Sequence, residues 1–462
     1  MKFLGLDLNI KNVPVLDESF IPLDAFNSEF LKTAKKPIAI AVERNNDLVS
    51  VYETFIHGSN DMFETDCYYI ERLIKFLLWA KGGYKVYVCG DENIAFHMSG
   101  IYCKNGKRSF DVDFMSKVYE KEFEIVYLLY NQKPDENEKS NSIGRHLDGC
   151  RIGFDAGGSD RKVSAVIDGQ TVYSEEMVWF PKTNSNPDYH YKGIVDSLKI
   201  AASKMPRVDA IGISSAGIYI DNRTMVASLF LNVSNELFEK KVKDIYIRAA
   251  KEIGNAPVVV VNDGDVTALA GAMDLNDTNV LGIAMGTSEA GGYVDSYGNI
   301  TGWLNEFAFA PVDAQEMAME DEWSGDIGCG VKYFSQDAVI KLAPKAGIVL
   351  SDSLSPAEKL KHVQKLLESN HPCAIKIYET IGCYLGHSLN LYAKFYKIKH
   401  VLLLGRVMSG EGGNIILKVA NQVLESEYID LYKSIKIHLP DEGSRRVGQS
   451  VAAASLPYVG LK

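Results

Sequence analysis

The order of apolar and polar positions divides the chain into two stretches joined by a polar seam. In the first stretch, K-P-I-A-I-A-V-E (36–43) and L-V-S-V-Y-E-T-F-I (48–56) are rich in β-branched and aromatic residues and predict strands. Y-Y-I-E-R-L-I-K-F-L-L-W-A-K (68–81) places apolar residues three and four apart and predicts an amphipathic helix. K-V-Y-V-C-G (85–90) predicts a short buried strand, D-V-D-F-M-S-K-V-Y-E-K-E (111–122) a helix, and E-I-V-Y-L-L-Y (124–130) a further strand. These elements make a small α/β module. The seam, N-Q-K-P-D-E-N-E-K-S-N-S-I-G-R-H-L-D-G (131–149), is nearly without apolar residues and is expected to stay outside any core.

Beyond the seam the pattern reads strand, strand, strand, helix, and then starts again. R-I-G-F-D-A-G-G (151–158) and K-V-S-A-V-I-D-G (162–169) are split by a glycine turn, and T-V-Y-S-E-E-M-V-W-F (171–180) follows. Helices are predicted at 191–205 and 236–254, with the strand V-D-A-I-G-I-S-S-A-G (208–217) between them. Four successive valines, Val258 to Val261, predict a strand buried on both faces. A second strand–turn–strand appears at 279–302, followed by helices near 336–343, 356–369 and 373–395, the strand H-V-L-L-L-G-R-V (400–407) and a helix at 414–426. The repeated hairpin with glycines at its tip predicts two lobes of like architecture.

Composition narrows the class. The chain has 462 residues, which predicts two to four domains. With 46% apolar and 24% charged residues it is an ordinary globular chain, neither disordered nor fibrous. The 49 basic and 60 acidic residues leave a charge of −11, which argues against nucleic acid as a partner. No run approaches the ~18 apolar residues a membrane span requires, and the start M-K-F-L-G-L-D lacks the apolar core of a secretory signal. The seven cysteines are scattered and never spaced C-x-x-C, as suits reduced thiols. No membrane partner and a cytoplasmic location are therefore expected.

Three strand ends carry candidate chemistry. In D-A-G-G-S-D (155–160) an aspartate ends a strand and two glycines open a tight turn whose N–H groups can approach an anion. In M-G-T-S-E-A-G-G (285–292) Gly286, Thr287 and Ser288 can donate to phosphate oxygens. In V-V-V-V-N-D (258–263) the strand ends in Asn262 and Asp263, where ligands of open α/β sheets sit and where an aspartate can take a hydroxyl proton. Each has a plain structural reading as well. The first two are equally hairpins with glycine tips, and the third is equally a helix N-cap, a role Asp265 could fill instead. The chain has no Walker A loop, since Gly100–Arg108 has the wrong glycine spacing and Arg108 after Lys107.

Taken in order, Asp155-x-Gly157-Gly158-Ser159, Asn262-Asp263, Gly286-Thr287 and Leu402-Leu403-Leu404-Gly405 resemble the superfamily of actin, sugar kinases and heat-shock ATPases. The likeness is greatest to the repressor–ORF–kinase (ROK) family of sugar kinases and covers residues ~150–455. It implies an α/β fold, the two-lobed ribonuclease-H-like (actin-like ATPase) fold, with an additional N-terminal α/β domain. The implied organisation is an accessory domain at 1–131, a polar linker at 132–149, a first kinase lobe at 150–272 completed by 445–462, and a second lobe at 273–444. The implied activity is phosphorylation of a sugar hydroxyl by ATP and Mg²⁺, in the manner of a glucokinase, in a cleft between the lobes.

The same resemblance assigns roles. Asp155 would organise Mg²⁺ through water, and Gly157, Gly158 and Ser159 would form the first phosphate loop. Gly286 and Thr287 would form the second, and Gly405 would lie near the adenosine. Asn262 would bind sugar hydroxyls, Asp263 would be the catalytic base and also touch the sugar, and Glu306 would match the family's sugar-binding glutamate. A homodimer is the assembly the resemblance allows.

The chain departs from the family pattern at several points. Phe309 stands where the pattern has a histidine, and in E-W-S-G-D-I-G-C (322–329) Glu322 and Ser324 replace the first two cysteines of the family's zinc cluster, leaving Cys329. One cysteine cannot build a tetrahedral zinc site, so no structural zinc is expected. Glu289 brings an acid next to the second phosphate loop, and Asp160 replaces a common lysine. These departures keep open a sugar-responsive regulatory or binding protein with weak or no kinase activity. G-D-I-G-C-G-V-K-Y-F-S-Q-D-A-V (325–339) also resembles the N-acetylglucosamine kinase branch, which keeps an N-acetyl amino sugar open as substrate.

Overall fold

The computed structural model describes residues 1–138, 142–439 and 442–460. The chain forms two compact units, each assembled from separate segments. The first comprises Met1–Lys139, Ile283–Gly291 and Trp303–Leu439, and the second Ser140–Gly282, Gly292–Gly302 and Pro440–Lys462. Residues 1–131, which the pattern sets apart as a domain of their own, thus share one unit with 303–439.

In the first unit, a four-stranded sheet has the order Val49–Ile56, Lys36–Glu43, Lys85–Cys89, Glu124–Leu128. Its pairs are antiparallel except the last, which is parallel. The helix predicted at 68–81 begins earlier and spans Phe63–Ala80; it buries Glu71, Arg72 and Lys75 along with its apolar residues. Helices Leu23–Thr33 and Glu92–Ile101 were not anticipated from the pattern. The first buries Leu23, Phe26 and Phe30, a helical spacing obscured by the polar residues between them. A second sheet has the order Glu289–Val294, Val280–Met285, His400–Leu404, Lys436–His438. Helices Gln336–Lys345, Pro356–Glu368, Pro372–Tyr392 and Glu411–Glu427 accompany it. Between residues 303 and 334 the chain is irregular apart from the single turns Phe307–Phe309 and Gly330–Lys332.

The polar seam is not left outside the structure. Val49 and Asn137 exchange backbone hydrogen bonds at 2.9 Å each. Glu138 accepts from Arg44 at 2.6 Å and from Trp303 Nε1 at 2.9 Å. Pairing Glu138 with Arg44 offsets the desolvation cost that makes burial of the charge look unfavourable. Residues 139–141 of the seam lie outside the described residues.

The second unit is built on a five-stranded sheet in the order Val258–Asn262, Ala210–Ser215, Cys150–Ala156, Asp160–Ile167, Gln170–Val178. The first three strands are parallel and the last two join antiparallel. Helices Pro187–Ala202 and Glu442–Ala454 pack on it. The core includes Ile152, Phe154, Ile194, Leu198, Ile211 and Ile213. Two expectations need correction. The valine strand lies at the sheet edge, so Val260 alone of its five residues is fully buried. The helix expected at 236–254 is broken into Asn235–Leu237, a π-turn Phe238–Val242 and Ile245–Lys251. Near the break the Lys243 carbonyl accepts from Thr224 N at 2.8 Å. Among the described residues no helix is long and apolar enough to cross a membrane.

Candidate functional site

In the second unit three parallel strands end side by side. Asp155 is in register with Ser214, and the following residue, Ser215, is in register with Asn262. Because the strands are parallel, their carboxyl ends share one sheet edge, and Asp155, Ser214, Ser215, Asn262 and Asp263 form a polar row there. Asp155 is 6% exposed, and its Oδ1 accepts from Ser214 Oγ at 2.8 Å. Burial, reinforced by the charge of Asp263, pushes its carboxyl up to about 6. Asp263 is half-buried and is likewise raised by burial. Neither aspartate makes an ion pair with any described residue. Beside them Tyr219 OH donates to Ser215 Oγ at 2.7 Å, and Ser215 Oγ lies 2.8 Å from Tyr246 OH, a buried chain of hydroxyls.

The helix cap falls on Asn262, not on Asp263 or Asp265. Asn262 Oδ1 accepts from Gly264 N at 2.7 Å, while its Nδ2 donates to the Gly217 carbonyl at 2.7 Å. One amide hydrogen and one oxygen lone pair are left for a ligand. Asp265 accepts from Tyr293 N at 3.0 Å. Asp263 therefore opens the helix Asp263–Asp274 without having to cap it.

The turn at 157–160 links the two strands that carry Asp155 and Asp160. A Cβ on Gly157 would lie 2.8 Å from the Asp160 carbonyl oxygen, which is why a glycine stands there. Trp179 Nε1 donates to the Gly157 carbonyl at 2.8 Å, and Trp179 N donates to the Ser159 carbonyl at 3.1 Å. Gly158 and Ser159 are exposed at the tip. Asp160 is neutralised by Lys162 at 3.4 Å. Lys182, which the motif reading missed, stands over this turn: a Cβ on Gly158 would lie 3.2 Å from its Nζ. Its charge also reaches Asp263 and favours the carboxylate there. Nothing local marks this lysine, since it sits in a turn 81 positions before Asp263.

The first unit holds the remaining candidates. Gly286 N bonds the Ser288 carbonyl at 2.9 Å, leaving Thr287 and Ser288 exposed at the turn. The Gly286 carbonyl accepts from Gln336 N at 2.8 Å, which docks the start of helix Gln336–Lys345 onto the turn. Gly405 has φ +94° and lies so close to the Met285 backbone that a side chain would not fit. Gly405 and the Gly286–Thr287 turn are thus brought together. Glu289 points away from the turn into the interior, where Tyr392 OH donates to it at 3.4 Å. Burial pushes its carboxyl up to about 8, so at neutral pH it carries a proton and adds no charge beside the turn.

Glu306 is half-buried at the start of the single turn Phe307–Phe309. Its backbone N–H donates to the Trp79 carbonyl at 3.0 Å, and Asn305 N donates to the Ala80 carbonyl at 3.1 Å. Phe309 packs against Trp79 with the rings tilted by 37° and their centroids 4.4 Å apart. Cys329 is buried with Ala308 and Val331, and burial raises its thiol far above the usual range. At the segment that resembles a zinc cluster, Asp326 instead meets Arg72 at 3.2 Å, Lys75 at 3.1 Å and Arg108 at 2.5 Å. Glu71 pairs with Arg72 and Arg108, and Asp111 with Lys75. Three cations and three carboxylates therefore close a buried knot. Among the described residues no group of three or more His, Cys, Asp or Glu could hold a metal ion.

No protein-family model matches the chain, and no curated protein matches it either. Solved structures do. A ROK hexokinase from Thermus thermophilus is 17% identical over 66% of this chain and 96% of its own, with a TM-score of 0.52. A ROK family glucokinase from Streptomyces griseus, solved with glucose and AMPPNP, is 19% identical over 66% of this chain and 98% of its own, with a TM-score of 0.46. A ROK family transcriptional regulator, a homologue of the Escherichia coli MLC protein, is 14% identical over 67% of this chain and 80% of its own, with a TM-score of 0.48. About two thirds of the chain thus has the α/β, ribonuclease-H-like fold of the ROK hexokinase, as the ordered motifs lead one to expect.

Proposed function

We propose that the protein is a ROK-type carbohydrate kinase that transfers the γ-phosphoryl group of ATP to a sugar hydroxyl. The observation that carries this reading is the row of Asp155, Ser214 and Asn262–Asp263 at the ends of three parallel strands, with two raised carboxylates, neither in an ion pair with a described residue. Such a row is built to receive groups from outside. Asp263 takes the proton of the attacking hydroxyl, and the burial that raises its proton affinity makes it the stronger base. In this reading Lys182 and the Gly157–Ser159 turn bind phosphate oxygens. The family resemblance assigns Gly286 and Thr287 to phosphates as well, Gly405 to the adenosine and Glu306 to the sugar.

The residues present fit Mg²⁺, because that ion is commonly held by one or two carboxylates together with water and substrate phosphates, and Asp155 offers one. When bound, Mg²⁺ screens the charge of the triphosphate. Positioning and charge neutralisation, not covalent chemistry, supply most of the rate enhancement in such transfers. The amino-sugar alternative shares this machinery and differs in the sugar that is bound.

An ADP-release screen across hexoses and N-acetyl amino sugars tests the reading. Turnover with one sugar class, abolished in Asp263→Ala, is expected. An Asp263→Ala protein that phosphorylates its sugar at the normal rate refutes the base. Sugar binding by calorimetry without ADP release favours a sugar-responsive binding protein.

A further inference from the structure

Residues 303–334 form an irregular segment, and an irregular segment keeps one conformation only if its backbone groups and side chains find partners. Some of those partners lie within the segment or on helix Pro372–Tyr392, and a further set comes from the N-terminal module. Helix Phe63–Ala80 leaves its last carbonyls without intrahelical donors, as every helix does. Two of them, at Trp79 and Ala80, accept from the N–H groups of Glu306 and Asn305. Asn305 holds φ +51°, a left-handed conformation that asparagine tolerates better than most residues. Its carbonyl accepts from Gly291 N at 3.1 Å, and its Oδ1 accepts from Tyr396 OH at 2.9 Å. Asn305 therefore ties the strand that carries Glu289 and Gly291 to the end of the module's helix.

Further anchors flank this one. Upstream, Lys81 Nζ lies 3.0 Å from the centre of the Trp303 ring. Downstream, Phe309 packs against Trp79 at 4.4 Å and Phe110 at 5.5 Å between ring centres. Leu23 N donates to the Val312 carbonyl at 3.0 Å, and Ala314 N donates to the Ile21 carbonyl at 2.8 Å. Tyr68 OH donates to the Ala314 carbonyl at 2.9 Å. The far end is fixed by Asp326 in the knot with Arg72, Lys75 and Arg108.

We propose that the N-terminal module positions the sugar site: by clasping residues 303–326 it fixes the place and orientation of Glu306, and Trp79 and Phe309 are the positioning residues of that clasp. This rests on the reading of Glu306 as a sugar ligand given above. It gives residues 1–131 a role that their sequence, which has no chemical motif, does not disclose. It also makes the module part of substrate recognition and not an independent attachment.

Steady-state kinetics on the full chain, wild type and three variants, test the proposal: Phe309→Ala, Glu306→Ala and the double variant. A positioning role raises the sugar KM of Phe309→Ala at least about tenfold while the ATP KM stays within about twofold. Added to Glu306→Ala, it produces little further loss, because its effect runs through Glu306. Equal rises in both KM values, full additivity in the double variant, or an unchanged sugar KM overturns it. If Phe309→Ala does not fold, Phe309→Leu replaces it. Amide hydrogen exchange on the wild type gives a readout that needs no substrate. The amides of Asn305 and Glu306 are protected if the clasp exists, and exchange like an open loop if it does not. A wild type that phosphorylates no sugar refutes the kinase reading and leaves the exchange result to decide the clasp. A Glu306→Ala protein with unchanged sugar KM, in an otherwise active kinase, refutes the positioning role alone.

Discussion

Asp155 in the second unit and Asp326 in the first are both buried aspartates, 6% and 1% exposed, yet their surroundings differ in kind. Burial pushes both carboxyls up. For Asp326 the charges of Arg72 and Lys75 more than offset that push and hold it below the usual carboxylate range. For Asp155 the single hydrogen bond from Ser214 does not offset it, and the neighbouring charge of Asp263 adds to it. The knot around Asp326 is electrically closed by the protein's own residues. The row around Asp155 is not closed in this way: neither Asp155 nor Asp263 makes an ion pair with a described residue. A perturbed carboxylate thus points to function only when the charge balance around it is incomplete, because structural ion-pair networks perturb titration just as strongly.

The sharpest way to break the comparison is to remove a charge on each side. Asp263→Asn is expected to lower turnover by about 10²- to 10⁴-fold, the usual worth of a positioned base. Its thermal midpoint should stay level or rise, since a carboxylate whose desolvation outweighs the nearby Lys182 charge is being replaced by a neutral amide. Asp326→Ala is expected to do the reverse. It strands three buried cations with two carboxylates and should destabilise the protein by about 3–5 kcal/mol in urea titrations. If Asp263→Asn unfolds the protein as Asp326→Ala does, the open row is structural and the distinction fails.

Glu289 offers a third test, through pH. Its folded carboxyl, at about 8, lies above the ordinary 4.5, so the folded state holds the proton more tightly than the unfolded state. The stabilisation from that proton is complete at low pH and is lost as pH rises toward 8, at up to about 1.4 kcal/mol per pH unit. Glu289→Gln, which keeps the shape without the ionisation, should gain on the wild type steadily between pH 5 and pH 8. Denaturation midpoints at pH 5, 6.5 and 8 measure this. A constant difference across the series would mean that Glu289 is ionised at neutral pH and does bring charge to the turn.

The open row was far easier to read in the sequence than the closed knot. Asp155 and Asp263 stand at the ends of apolar runs and next to glycines, a local signal that survives without coordinates. What local pattern could not supply was the sheet position of the valine strand, and hence its exposed face, because neighbouring strands decide that. The choice of Asn262 over Asp265 as cap depended on Tyr293, whose N–H claims Asp265 from 28 residues away. Arg72 and Lys75 resemble the polar face of an amphipathic helix, and only the arrival of Asp326, some 250 positions later, makes them interior residues. The polar seam misled in the same way, since Glu138 is paired with Arg44 across 94 positions. In each case the missing information was the identity of a distant partner, and charge can be buried or exposed according to whether one arrives.

The smallest effect is expected at Asp155, and it discriminates best between the two regions. Its folded value of about 6 lies above the ordinary 3.8, so its ionisation weakens the fold across that window and adds nothing further above it. Asp155→Asn should therefore be about as stable as wild type near pH 4, and more stable at pH 7 by at most about 3 kcal/mol, from roughly two pKa units. Mg²⁺ with ATP should raise the wild-type midpoint at pH 7, because a ligand that binds the folded state supplies the missing counter-charge. The same addition should move Asp155→Asn much less. Asp326→Asn, whose carboxylate is already paired, should be destabilised at pH 7. Its loss should shrink only as the pH falls far enough to protonate Asp326 in the wild type. If Asp155→Asn and Asp326→Asn instead give curves of the same sign and pH dependence, the protein closes the charge around both aspartates, and the case for a cation arriving at Asp155 is lost.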